Sequence, residues 1–473
     1  MLFHSFEFLI LLSITVLVYY IFPKSRVYAL AWANLLFYGA SGFNYLVLFG
    51  IVTFISYFLA LKLHESKNNL YYYLGLGLNL LNLLFFKYSG FLLSNLTSLL
   101  NIGFQNQDEF ISRIILPVGI SFYTFQIIAY MTDVKRDEIE PERSFIRFWV
   151  FISFFGQLIA GPIMRGYQFL PQINDVKSCI WKESRLKYGI YYIMMGLSKK
   201  LLFADYLATY ANRFFDSYMN FTMLDGWIAA WLFAFQIYFD FSAYSEIAVG
   251  VGHLFDLDLD INFKSPYISR SPKEFWKRWH ITLSSWIRDY IYIPLGGNKN
   301  GFVMQCMFLM TAMTLSGMWH GAAWTFIVWG AYHGLLVIFH NIYLRYFSDF
   351  RNKLKDKKWY NALSVFVFFN LTSIGWVFFR AKSFSQAIQI IGKMFNAGNL
   401  TITSFQVKYL VIVAGLCLMH VVEYLVRKNE QEIAGKIQKH VPVPLRALGY
   451  TVMVLALLVI AQTEQSTFIY FQF

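Results

Sequence analysis

"AAWTFIVWGAYHGLLVIFHNIYL", residues 322–344, decides the fold class. No Asp, Glu, Lys or Arg lies between Gly301 and Arg345, and about 20 apolar residues in a helix cross a hydrocarbon core. Working outward in both directions, comparable runs occupy residues 6–22, 27–61, 70–86, 145–164, 227–251, 363–379, 408–422 and 447–461. Nine or more membrane spans are expected. The fold class is an all-α polytopic membrane protein, because hydrocarbon leaves backbone polar groups no partner outside their own helix.

Composition agrees. The 473 residues are 57% apolar, 20% aromatic and 14% charged, with a mean hydropathy of +0.47, whereas soluble domains carry about 25% charged residues. The run 6–22 leads into Pro23 and Lys24 without a small-residue cleavage pattern, so it reads as an uncleaved helix. The net charge of +13 sits between apolar runs: at Lys24 and Arg26, from Arg165 to Lys200, from Lys264 to Arg288, from Arg345 to Lys358 and from Arg427 to Arg446. These stretches are expected on the cytoplasmic side, which places both termini outside. The excess charge then serves topology and anionic lipid, not nucleic acid. Cys179, Cys306 and Cys417 have neither disulfide nor zinc spacing.

The chain has no internal repeat and no polar block long enough to fold apart, so residues 1–473 read as a single membrane domain. Residues 133–147, "DVKRDEIEPERSFIR", mix both charge signs and read as a solvated loop or short surface helix. Residues 256–301 are too charged to span and too aromatic for a free loop. Within them "SPKEFWKRWHITLSSWIRDY" carries a helix start: Ser271 at the cap, Pro272 first, Glu274 in the capping-box place. Phe275, Trp279, Leu283 and Trp286 then form one apolar face, with Lys273, Lys277, Arg278 and Arg288 around it. This predicts an amphipathic or re-entrant helix at the membrane interface.

An intramembrane histidine is costly and marks a functional site by default. His320 lies between two apolar runs beside Trp319 and Trp324, with Gly317 and Gly321 permitting close helix approach. No carboxylate is near it in sequence. His333 and His340 follow at spacings that do not give the i, i+4 geometry of a zinc pair. His280 sits in the middle of the amphipathic stretch, where an interfacial histidine bonded to lipid or backbone remains an alternative. A neutral imidazole suits proton exchange with a hydroxyl near neutral pH, which acyl transfer requires.

The motifs "FWKRWHITLSSWIRDYIYIPLGG" and "GMWHGAAWTFIVWGAYHG", with "PVGISFYTFQIIAYMTDVKR" from Pro117, "LIAGPIMR" from Leu158, "FDFSAYSEIAVG" from Phe239 and the opening "MLFHSFEFLI", resemble the membrane-bound O-acyltransferase family. The likeness covers essentially the whole chain and is strongest to the bacterial branch that acylates alginate, peptidoglycan and teichoic acid. It implies a ring of tilted helices around a thinned centre, with a cytoplasmic funnel for the acyl donor and an outer funnel for the acceptor. By the same resemblance His320 is the catalytic histidine and His280 the second functional one.

The ending "FIYFQF", residues 468–473, is too apolar for a free tail. It fits the family's F-x-Y-x-x-F relay motif through Phe468, Tyr470 and Phe473. The resemblance makes Tyr470 the acyl carrier, while an interfacial tyrosine in an aromatic belt is the plainer alternative. Acetyl-CoA is the expected donor, a co-substrate with no metal cofactor, and Lys277 and Arg278 are expected to help hold its phosphates. The expected partner is an extracytoplasmic SGNH-hydrolase-like acetyltransferase that passes acetyl to the polymer, with the chain itself in the bacterial inner membrane. D-alanyl transfer and non-covalent transport of an acyl donor are the competing readings.

Overall fold

Helices account for the regular structure of the described residues, with no strand among them. The computed structural model describes residues 1–473 apart from 2, 4, 102–106, 177, 178, 180, 400, 401, 461–467 and 470–473, and apart from the side chains of 108, 431, 434, 438 and 458. Among the described residues, six helices are long and apolar enough to cross a membrane: Phe43–Ser66, Asn69–Leu100, Gly301–His320, Trp324–Tyr346, Lys358–Arg380 and Ser404–Lys428. The pair Phe6–Ile21 and Pro23–Gly39, bent by 118°, adds at most one more.

That is fewer than the nine spans the apolar runs suggest, and the breaks have local causes. Pro23 bends the first pair, as expected of a residue that cannot continue the donor ladder. Gly42, at φ +130°, divides residues 27–61 into Arg26–Gly39 and Phe43–Ser66. Residues 145–164 stop and restart at Phe154. Residues 227–251 lie in the long helix Met223–Leu254, whose Asp240 and Glu246 are buried. Apolar content marks these segments as water-avoiding, but only the turn residues say where the chain reverses.

The chain forms two compact units, Met1–Met195 with Tyr244–Ile261, and Gly196–Ala243 with Asn262–Phe473. In the first, helix Ile120–Lys135 is buried from Ile120 through Asp133 to Val134, so residues 133–147 begin inside the core and not in a solvated loop. Gly119 opens this helix at φ +73°, where a Cβ would lie 2.6 Å from the Leu158 carbonyl oxygen. Only glycine tolerates both the left-handed backbone and that approach. The "PVGISF" and "LIAGP" stretches therefore pack against each other.

The second unit is organised on the hairpin of Gly301–His320 and Trp324–Tyr346. A Cβ on Gly317 would overlap the Phe326 carbonyl and come within 2.9 Å of the Gly330 Cα. The two backbones are thus in direct contact, the small-residue packing that membrane helices use in place of hydrophobic collapse. Helix Lys358–Arg380 approaches the hairpin in the same way, because a Cβ on Gly375 would reach within 2.9 Å of the His333 Nε2. Close packing at these three glycines fixes the helix that ends in His320.

Candidate active site

His320 is the last residue of helix Gly301–His320, after which Gly321 turns the chain into extended backbone. Its ring is buried among Trp319 at 5.0 Å, Trp329 at 5.0 Å and Phe379 at 5.2 Å, all close to perpendicular. Edge-to-face contacts of this kind fix a ring's plane.

The sequence reads 271–288 as one amphipathic helix, and the structure breaks it. Ser271 caps Pro272–Trp276 as expected, its Oγ accepting the Glu274 N–H at 3.3 Å. The helix then ends, and Ile281–Ile287 begins separately with His280 as its cap. Asn262 is the cause. Its carbonyl accepts the Ile281 N–H at 3.1 Å, and its Oδ1 accepts the Thr282 N–H at 3.1 Å and the Thr282 hydroxyl at 2.7 Å. The Lys264 N–H donates to the Arg278 carbonyl at 2.9 Å on the same side. Bonds that would continue the helix are spent on 262–264, which holds His280 at φ +41°. Few residues other than glycine adopt this left-handed region, and histidine is among those that do so more readily.

The break redirects the side chains without exposing them, for Phe275, Trp279, Leu283 and Trp286 are all buried. His280 is buried as well, with Phe241 and Phe263 at 6.2 Å and Trp319 at 5.8 Å. Burial lowers the proton affinity of its imidazole. His280 and His320 therefore share Trp319 as a common wall. The structure brings the two histidines singled out from the sequence to one aromatic cluster.

The same cluster contains His333, which sequence spacing did not single out. Its fully buried ring lies 4.9 Å from Trp329, on which His320 also rests, and stacks on Phe275 at 5.9 Å. Trp276 is 5.3 Å away. Neither ring nitrogen of His333 has a hydrogen-bond partner among the described residues. Hairpin pairing of two helices, and not spacing along one, creates this proximity.

Arg278 and Lys277, the expected donor-binding pair, part company. Arg278 is bound to its own fold: its guanidinium meets Glu274 Oε1 at 3.0 and 3.1 Å, donates to the Lys264 carbonyl at 3.0 Å, and lies over the Tyr424 ring at 5.6 Å. Lys277 and Lys273 are exposed beside it. Among the described residues, no group of three or more His, Cys, Asp or Glu is placed to hold a metal ion.

A second, ionic, constellation escaped the sequence reading. Lys199 and Lys200, counted there with the loop charges, are buried in the π turn Lys199–Ala204. Lys199 pairs with Glu423 at 2.6 Å, and Glu423 also receives the Tyr238 hydroxyl at 2.7 Å, the Arg427 guanidinium at 3.2 Å and His420 at 3.3 Å. His420 in turn accepts the Tyr267 N–H at 3.2 Å. Glu423 was legible in principle, as an acid inside the apolar helix Ser404–Lys428.

Of the relay motif, Phe468 and Ile469 are described and both are buried. The Phe468 ring lies 5.2 Å from Phe241, the residue that also contacts His280. Tyr470 and Phe473 lie outside the described residues.

A buried imidazole at the end of a glycine-packed hairpin, inside a multi-pass helical membrane protein, defines a class, and sequence comparison supplies the family. Residues 135–385 match the membrane-bound O-acyltransferase family. The chain is 35% identical over 411 residues to the peptidoglycan O-acetyltransferase of Helicobacter pylori, covering 81% of this chain and 75% of that protein. It is 34% identical over 465 residues to a probable alginate O-acetylase, AlgI, of Pseudomonas putida, covering 93% of each. Similarity to the teichoic acid D-alanyltransferase of Streptococcus thermophilus is lower, 28% over 284 residues, or 55% of this chain and 68% of that one. The chain belongs to the membrane-bound O-acyltransferase family and is an acyltransferase of the membrane. The non-covalent transporter reading gives way to this.

Proposed function

We propose that this protein moves acetyl groups from acetyl-CoA on the cytoplasmic side of the bacterial inner membrane to an extracytoplasmic acetyltransferase, which places them on a cell-envelope polysaccharide. His320 is the base and Tyr470 the carrier. The observation that carries the reading is His320 itself, buried at the end of a membrane helix with its ring packed against Trp319, Trp329 and Phe379. Greater similarity to the peptidoglycan and alginate O-acetylating relatives than to the D-alanyltransferase favours acetyl over D-alanyl.

The chemistry balances. A phenol with a pKa near 10 is a weak nucleophile at neutral pH, so His320 takes its proton as the phenolic oxygen attacks the thioester carbonyl. The carbon–sulfur bond breaks, the proton passes to the leaving thiolate, and coenzyme A departs with an acetyl-tyrosine ester left behind. Phenoxide leaves more readily than an alkoxide, so a serine hydroxyl on the partner accepts the acetyl and returns a proton to Tyr470. A sugar hydroxyl then accepts it from the serine. The aryl ester on Tyr470 is more activated than the alkyl esters on serine and sugar that follow it.

Reconstitution tests the route. With labelled acetyl-CoA inside vesicles and the partner with its polymer outside, the account expects label on the polymer, lost in Tyr470→Phe. Undiminished polymer labelling in Tyr470→Phe would mean that acetyl crosses without this tyrosine. Label from a D-alanyl donor in place of acetyl would restore the teichoic-acid reading.

A further inference from the structure

Tyr470 follows a residue whose backbone is gripped by a buried carboxylate, and the grip is more elaborate than packing requires. The Ile469 N–H donates to Asp240 Oδ2 at 2.7 Å. The other oxygen, Oδ1, faces Lys200 Nζ at 2.9 Å, and the same ammonium lies 2.8 Å from Asp205 Oδ1. Asp240 and Lys200 are buried, and Lys200 has no exposed surface.

An extra residue in the helical turn gives the Lys199–Ala204 segment its π geometry, and such insertions are frequent at functional sites. Here it sends two consecutive lysines to different partners, Lys199 to Glu423 and Lys200 to the two aspartates. Lys200 meets Asp240 through Oδ1, which leaves Oδ2 as an acceptor. A peptide N–H fills it with a charge-assisted bond, stronger than one to a neutral oxygen. A buried ionic group of this kind is costly unless fully paired.

We infer that Asp240, held in place by Lys200 and Asp205, is a positioning residue that seats the chain at Phe468 and Ile469, by the Ile469 backbone. Phe468, packed on Phe241, fixes the register, and Phe241 in turn contacts His280. The grip falls on the residue that precedes the proposed carrier tyrosine in sequence. The inference rests on the proposed relay through Tyr470, but the seating has a readout of its own.

The test uses the full chain in lipid nanodiscs, as the unaltered protein, Asp240→Asn, Asp240→Ala, and the pair Lys200→Met with Asp240→Leu, which removes both ions together in case the single alanine variant does not fold. Hydrogen exchange at the Ile469 amide reports seating, and acetyl on Tyr470 from labelled acetyl-CoA reports the relay. The expected result is exchange at Ile469 faster by about tenfold or more in the alanine and paired variants, with exchange in helix Gly301–His320 unchanged. Asp240→Asn, which keeps an acceptor oxygen, is expected to fall between. Tyr470 acetylation should slow in the same order while the KM for acetyl-CoA holds, a split that general loosening of the fold would not give. Unchanged exchange at Ile469 in every variant would overturn the inference, as would faster exchange with Tyr470 acetylated at the original rate. If Tyr470 takes no acetyl even in the unaltered chain, the relay reading fails, and Asp240 is then no positioning residue for it, whatever the exchange at Ile469 shows about binding.

Discussion

Two departures from regular helix in the second unit are built from opposite materials. At residues 277–280 the chain breaks among rings, and His280 faces Phe241, Phe263 and Trp319. At Lys199–Ala204 it bulges among ions, with Lys199 on Glu423 and Lys200 on Asp205 and Asp240. The difference separates two tasks. Rings orient a side chain by packing, and the walls described around His280 are rings. An anchor must stay put, and paired ions with low exposure hold a fixed geometry because each is costly to separate from the other.

The largest effect expected from the aromatic side is loss of the base. His320→Ala should lower acetyl transfer by about 10²- to 10⁴-fold, beyond what the cavity left by the ring costs in stability; a rate within a few-fold of the original would move the base elsewhere. The ionic side should show the reverse pattern. Glu423→Ala leaves Lys199 buried without its carboxylate and should cost about 3–5 kcal/mol of stability. Lys199→Met combined with Glu423→Leu should recover most of that, which a melting series in detergent can measure. A smaller effect is expected at the hairpin contact, where Gly330→Ala places a methyl against the Met313 carbonyl and should cost about 1–3 kcal/mol, with transfer falling as the His320 helix shifts. At the exposed margin, Lys277→Glu should raise the KM for acetyl-CoA by roughly a few-fold through lost charge attraction and leave the melting temperature in place. Arg278→Glu should instead destabilise the 264–278 contact, since Arg278 already serves Glu274 and Lys264.

Sequence carried the class of fold further than its details. Long uncharged runs mark membrane helices because burial in lipid leaves few alternatives; His320 stands out because an imidazole is costly beside such runs, and His280 because it sits in the middle of the amphipathic stretch. The Ser271 cap was equally readable, since it depends on three neighbouring residues. What escaped was long-range. The break at His280 depends on Asn262, whose bonds to Ile281 and Thr282 span nearly twenty residues. His333 joins His320 only through the Trp329 they share. Lys199 and Lys200 look like loop charges until Glu423 and Asp240, each from another helix, are found opposite them. Local chemistry is written locally, whereas a buried ion announces its partner only in three dimensions.

The measurement that bears most directly on the division between chemical and anchoring regions is a mass-spectrometric search for acetyl on Tyr470 after incubating the purified chain, without partner, with isotopically labelled acetyl-CoA. The account predicts label on Tyr470 that vanishes in His320→Ala and persists, at lowered protein stability, in Glu423→Gln. Label on Tyr470 that survives His320→Ala, or none in the unaltered chain while polymer is still acetylated with the partner present, would contradict it.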